Sequence, residues 1–373
     1  MTMNQEPEWL REYRKKNLAI LESKPIKKSQ YFDVKKLDGF LVNNNKPVRN
    51  IMPAGLKKSG IELLSWNEAL AIYPSEIRSI LEKEKEAKSQ YEAFVNANFN
   101  TGFVAVVDKE IDGLIEYNVE ADEATIKNII IIKDNIEGIK ILEHLTPGLK
   151  FMNETISLGE NSKMVFCRAF NLENTALVNQ QCLLERDARL INANAYLNGQ
   201  DVHARVVNIL NGEAASVEQF DFSLLNKEQF FNVELLSIHN AENAYSNSIL
   251  KTVLNDKAKN LFDGMIKIMP SGQKANALLV AHSLLLSEDA SANNIPNLEI
   301  EADDVKATHS ATVTNIDEEQ LFYLRSRGLS VEEARHAIIK GFLEGVIFKL
   351  PSDYNEKLSS ILTKKMWEGE LKN

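Results

Sequence analysis

The sequence predicts a mainly β protein, a long body of many short strands held between two helical regions. Two observations carry this reading. From about Phe99 onward, short apolar runs follow one another, at residues 103–107, 129–132, 139–142, 164–166, 190–196 and 202–210. Breaks near Gly159, Asn171, Glu185, Asn198-Gly199, Asn211-Gly212, Asn226, Asn240, Asn255 and Pro270 fall 12 to 15 residues apart. Strands of about five to eight residues at such even spacing indicate an all-β body. Helix-type periodicity and capping signals, the second observation, are confined to residues 1–95 and 314–373, leaving 96–313 to the β body.

Each element has its own justification. Residues 1–21 place Trp9, Tyr13, Leu18 and Leu21 among Arg11, Arg14, Lys15 and Lys16, which reads as an amphipathic helix and not as a signal peptide. Residues 24–50 look irregular, and 61–64 a short strand. Ser75 is expected to cap a charged helix over 76–91, with Glu82, Lys83, Glu84, Lys85 and Glu86 pairing along a solvated face. At the other end, Asp317 caps a helix over 318–327 carrying Leu321, Phe322 and Leu324, and Gly328 ends it. Ser330-Val331-Glu332-Glu333 is a capping box, and the helix it opens shows a stripe of Val331, Ala334, Ile338, Phe342 and Gly345. A third helix is expected over 352–367.

The spacing fits two architectures, a sandwich or barrel and a β-solenoid with stacked turns. Asn198-Gly199 and Asn211-Gly212 are hairpin-type dipeptides and favour local antiparallel pairing. Against that, no helical crossover separates Ala124 from Val313, so a parallel sheet would have to arise by coiling. Periodicity alone does not choose. Asparagine occurs 37 times, more than glycine (16) and proline (9) together, so Asn either punctuates the turns or reflects a compositional bias.

Composition narrows the function. With 43 Lys and Arg against 53 Asp and Glu, the formal charge is −10, which argues against nucleic acid as the main partner. Two cysteines, Cys167 and Cys182, exclude a disulfide scaffold, a zinc ribbon or a self-sufficient four-thiolate cluster site. Both are expected to be small core residues. No apolar stretch reaches the roughly 18–20 residues of a membrane helix, and the expected location is the cytoplasm.

Few residues offer chemistry. The six histidines show no metal-ligand spacing, and Ser271-Gly272-Gln273-Lys274 lacks the upstream glycine of a phosphate loop and reads as a turn. Asp303-Asp304 is the best carboxylate pair, but it sits alone at a strand break and reads as a turn; adjacent strand residues point to opposite faces, which argues against a shared proton. The stretch from Val305 to Val313 is more informative: Val305, Ala307, His309, Ala311 and Val313 alternate with Lys306, Thr308, Ser310 and Thr312. His309 thus belongs to the apolar face of a strand, where a desolvated neutral imidazole is a good ligand for iron or zinc.

Residues 261–345, read continuously, resemble one family. The carrying segments are Glu299-Ile300-Glu301-Ala302-Asp303-Asp304-Val305-Lys306 and Leu321-Phe322-Tyr323-Leu324-Arg325-Ser326-Arg327-Gly328. They are similar to the SufB/SufD family of iron–sulfur cluster assembly proteins, and the scarcity of thiols favours the SufD side of it. The resemblance implies a right-handed parallel β-helix (β-solenoid) with helical ends, and a scaffold in place of an enzyme. It further implies pairing with a SufB-like paralogue near the strand of Val305, Ala307, His309, Ala311 and Val313. The C-terminal helices would dock a SufC-like ATPase through Leu321, Phe322, Leu324, Val331, Ile338 and Phe342. No cofactor would be held by the chain alone, and an iron–sulfur cluster would form transiently in the complex; a homodimer that binds or delivers iron without SufB is the alternative. His309 matches the family's histidine implicated in cluster formation and is the one candidate metal ligand. The family's Cys two residues earlier is Ala307 here, and its following Gly is Ser310. Any thiolate at that place would come from the partner.

Overall fold

The computed structural model describes residues 6–23, 52–84, 90–120 and 124–367. Four helices and one strand come first: α1 (Glu8–Ser23), β1 (Ile61–Ser65), α2 (Trp66–Ile72), α3 (Pro74–Lys83) and α4 (Gln90–Asn98). The chain then alternates between two sheets. The first holds β1, β2 (Phe103–Val107), β4 (Thr125–Ile132), β6 (Phe151–Leu158) and β8 (Ala176–Leu184). It continues through β10 (Asp201–Leu210), β12 (Phe230–His239), β14 (Lys259–Ile268) and β16 (Ser291–Ile300). The second holds β3 (Leu114–Val119), β5 (Ile139–Leu145), β7 (Lys163–Asn171) and β9 (Arg189–Asn198). It ends with β11 (Ser216–Leu225), β13 (Tyr245–Leu254), β15 (Asn276–Leu285) and β17 (Lys306–Asn315). Three helices follow: α5 (Glu318–Ser326), α6 (Val331–Ile347) and α7 (Ser352–Trp367).

Apart from the antiparallel pair β1–β2, the strands within each sheet run parallel, and each pairs with the strand one full turn later. This is a parallel β-solenoid. Lys163 lies opposite Arg189, a turn of 26 residues, while Lys259 lies opposite Ser291, a turn of 32. The breaks seen every 12 to 15 residues are half-turns, the corners where the chain crosses between sheets.

Asn198-Gly199 and Asn211-Gly212 are therefore corners and not hairpins. The chain changes sheets there, and parallel coiling replaces the local antiparallel pairing that the dipeptides suggested. Asparagine does punctuate these corners. Asn135, Asn161 and Asn243 adopt left-handed φ of 56–61°, and Asp187 and Ala214 occupy the same corner at 57°. The amide of Asn135 donates to the carbonyl of Glu160 at 2.8 Å, and Asn161 to Arg186 at 2.9 Å, each one turn further on. Asn tolerates this backbone better than other L-residues. Side chains add ladders: Asn198 Nδ2 donates to Asn171 Oδ1, and Asn240 Nδ2 to Asn211 Oδ1, both at 2.8 Å.

The main core fills the space between the two sheets, from Ile115 and Ile130 through Phe166, Val206 and Phe262 to Leu279. The outer face of the second sheet is covered by α6 and α7 through Ile339, Leu343, Val346, Tyr354, Leu358 and Leu362. The stripe expected on α6 is thus displaced: Ile339 and Leu343 face the sheet, whereas Val331 is 43% exposed. Solenoid packing, not the helix's own pattern, selects the buried face. Capping at Asp317 and Ser330 is as expected, as is Gly328 beyond α5 with φ +97°.

The outer face of the first sheet is covered by the N-terminal helices. Here three expectations change. Leu10, Arg14 and Asn17 of α1 are buried and Leu18 is not; Arg14 pairs with Glu6 and donates to the Ala97 and Phe99 carbonyls. The next helix begins at Pro74 with no side-chain cap from Tyr73, so Ser75 is not its cap. Glu84 does not lie on a solvated face. It is buried against Lys127, whose Nζ donates to both of its oxygens at 2.9 and 3.0 Å and to Asn96 Oδ1 at 3.0 Å. Lys85 and Glu86, like the stretch 24–50, lie outside the described residues.

Candidate functional site

The last turn of the solenoid is formed by β16 and β17, each the final strand of its sheet. In an in-register parallel pair, facing residues point to the same side. Ala307, His309, Ala311 and Val313 lie opposite Ala277, Leu279, Ala281 and Ser283, all buried. The odd positions of β17 therefore face inward, as the alternation implies. Val305 and Ala307 are half-buried and pack on the core. His309 and Ala311 are exposed and Val313 is 47% exposed, because no further turn covers them. The desolvated environment expected for His309 is absent from the single chain; a second surface would have to supply it. Ile300 on β16, 43% exposed and opposite the buried Ile268, extends the apolar character of this end.

The bordering segments are turns. Asp303 and Asp304 bend the chain between β16 and β17, and the Asp304 amide donates to Gln273 Oε1 at 3.1 Å. Ser271 to Lys274 connects β14 to β15. Cys167 is enclosed beneath α6 and α7, and Cys182 lies between the sheets. Burial pushes both thiols up, so neither supplies a ready thiolate. Among the described residues no three His, Cys, Asp or Glu side chains are grouped as a metal site.

The helical end presents a different surface. Leu321 is buried, Leu324 is half-buried, and Ile338 and Phe342 are half-buried against the solenoid. Ile338, Gly341 and Phe342 also line an open groove of about 520 Å³, shared with Leu284, Ile316 and Gln320. Phe322 is 73% exposed. Sequence reasoning missed Tyr323 and Phe348, also exposed, since an exposed aromatic has the same pattern as a core one until its neighbours are known.

A family model described as "SUF system FeS cluster assembly, SufBD core domain" matches residues 117–342, more than half of the chain. The chain belongs to the SufB/SufD family. The family's relatives include the iron–sulfur cluster assembly protein SufD of Escherichia coli, 33% identical over 160 residues, 43% of this chain and 38% of that protein. SufD of Bacillus subtilis is 28% identical over 256 residues, 66% of this chain and 58% of that protein. SufB of Bacillus subtilis is 28% identical over 211 residues, 55% of this chain and 45% of that protein. The chain thus spans about two fifths to three fifths of the length of these relatives. Among the described residues no helix is long and apolar enough to cross a membrane.

Proposed function

We propose that this chain is a SufD-type scaffold subunit that builds iron–sulfur clusters with a SufB-like partner and a SufC-like ATPase. The observation that carries this reading is the uncovered last turn, where inward-facing His309 and the apolar Ala311 and Val313 await a second surface. A partner adding strands beyond β16 and β17 would satisfy their free edges and desolvate the imidazole. Ala307 supplies no sulfur, so the thiolate comes from the partner, and the cluster is cargo held only in the complex. The exposed Phe322 and Val331, with Leu321, Leu324, Ile338 and Phe342 behind them, are the proposed platform for the ATPase.

Co-expression with SufB- and SufC-type proteins, capture of this chain and mass measurement of the intact complex tests the reading. A complex containing both is expected; a stable assembly excluding both would sink it. A second reading, a homodimer working without SufB, is favoured by the same free edges, which a second copy can also pair. Sedimentation of the pure protein with and without iron separates the two.

A further inference from the structure

One polar seam interrupts the apolar interior. Tyr117, Glu143, Arg168, Asn194 and Asp221 follow one another in register along the inner face of the second sheet, on β3, β5, β7, β9 and β11. On the first sheet Glu154 of β6 lies beside Gln180 of β8. Glu143, Glu154 and Arg168 are each at most 1% exposed. Arg168 bridges the sheets: its Nε donates to Glu143 Oε2 and its Nη2 to Glu154 Oε2. Tyr117 donates its hydroxyl to Glu143 Oε1 at 3.0 Å, and Gln180 Nε2 approaches Glu154 Oε2 at 3.4 Å. Both carboxyl groups thus bond the same guanidinium, which brings them side by side. Glu154 Oε1, fully enclosed, meets no N–H or O–H donor.

The charges do not balance. One guanidinium faces two carboxylates, all three closed off from the surface, and an uncompensated buried charge is strongly disfavoured. The other titratable groups facing the seam are Tyr117, Cys182, Tyr196 and Asp221, which bring no positive charge. A second carboxylate on the same guanidinium, with an enclosed oxygen that lacks a donor, calls for a proton on the pair.

We propose that the solenoid interior binds one proton, shared between Glu143 and Glu154, and that this proton keeps the middle turns closed at neutral pH. Folding takes the proton from water. Glu154 becomes a carboxylic acid whose O–H donates to the Glu143 carboxylate, and the seam becomes neutral with Arg168. Burial and the Glu143 carboxylate push Glu154 up to about 8, against the pull of Arg168. An unfolded Glu loses its proton near pH ~4.3. The contribution is therefore complete in acid, declines as pH rises above that value, and is gone beyond about pH 8. Alkali should open the body from its centre, independently of the assembly role proposed above.

Infrared spectroscopy of the full chain tests this directly. At neutral pH the protein should show a carboxylic-acid carbonyl band that fades as pH rises beyond about 8. Glu154→Gln should remove the band and flatten the fall of the denaturation midpoint between neutral and alkaline pH. Asp221→Asn should retain the band, since that carboxyl lies further along the seam. If Glu154→Gln does not fold, Glu143→Gln provides the same test from the other oxygen pair. Absence of the band from the unmodified protein at neutral pH, or its persistence in the folded Glu154→Gln variant, would overturn the proposal.

Discussion

His309 stands in register with Leu279, the last fully enclosed side chain of its inward-facing row. The imidazole therefore continues the apolar interior by one layer, at the layer where the interior opens to solvent. Its exposure makes a separation of roles testable. His309→Ala should change the denaturation midpoint by no more than about 0.5 kcal/mol equivalent, as for other exposed positions. The same change should impair maturation of iron–sulfur enzymes in cells that depend on this pathway. Normal maturation with the complex intact would leave His309 a surface residue only.

The N-terminal helices are fastened by a buried ion pair. Lys127→Met should strand Glu84, which is also bonded by Tyr13 and Thr155, at a cost of about 3–5 kcal/mol measured by urea unfolding. Adding Glu84→Gln should recover a substantial part of that loss. No recovery would mean that Lys127 acts through packing and not through charge.

On the C-terminal helices two kinds of apolar residue should respond differently. Leu343→Ala empties a fully buried position and should destabilise by about 2–5 kcal/mol. On α5, Phe322→Ala should leave stability within about 0.5 kcal/mol yet weaken capture of the ATPase proposed to dock there. Equal capture by both forms would remove Phe322 from the platform.

Acid should weaken the body through its histidines. Burial holds His239 down to about 4, while its Nε2 meets Ser246 Oγ at 2.9 Å. His203 is lowered by burial in the same direction. The unfolded chain takes up these protons near pH ~6.5. The His239 contribution, present above that value, should fall as pH drops toward about 4, by up to ~1.4 kcal/mol per pH unit, and His203 adds to the loss in the same direction. Titration of the unfolding midpoint should show the slope, and His239→Gln should reduce it.

What could be read from the chain was local. Asp317, Ser330 and Gly328 act within one turn of helix, and the inward phase of His309 follows from a two-residue alternation, so both were legible. The sense of strand pairing was not, because Lys163 meets Arg189 only after a full circuit. Glu84 looked solvated for the same reason: Lys127, the partner that buries it, is 43 residues away. Arg168 and its two carboxylates gave no sign in sequence, since a charged residue inside a solenoid has the same alternation as one outside.

The solenoid broadens over its first turns and then holds its breadth. Strands grow from eight residues in β6 to ten in β16, about 7 Å more at roughly 3.3 Å per residue. From β9 onward every strand has ten residues, so the mouth keeps the full breadth reached in the middle turns. A mate that prolongs the coil must begin at that calibre, so breadth itself becomes a fitting rule: a narrow-turned solenoid would leave a ledge of bare strand ends, whereas one equally broad would close flush.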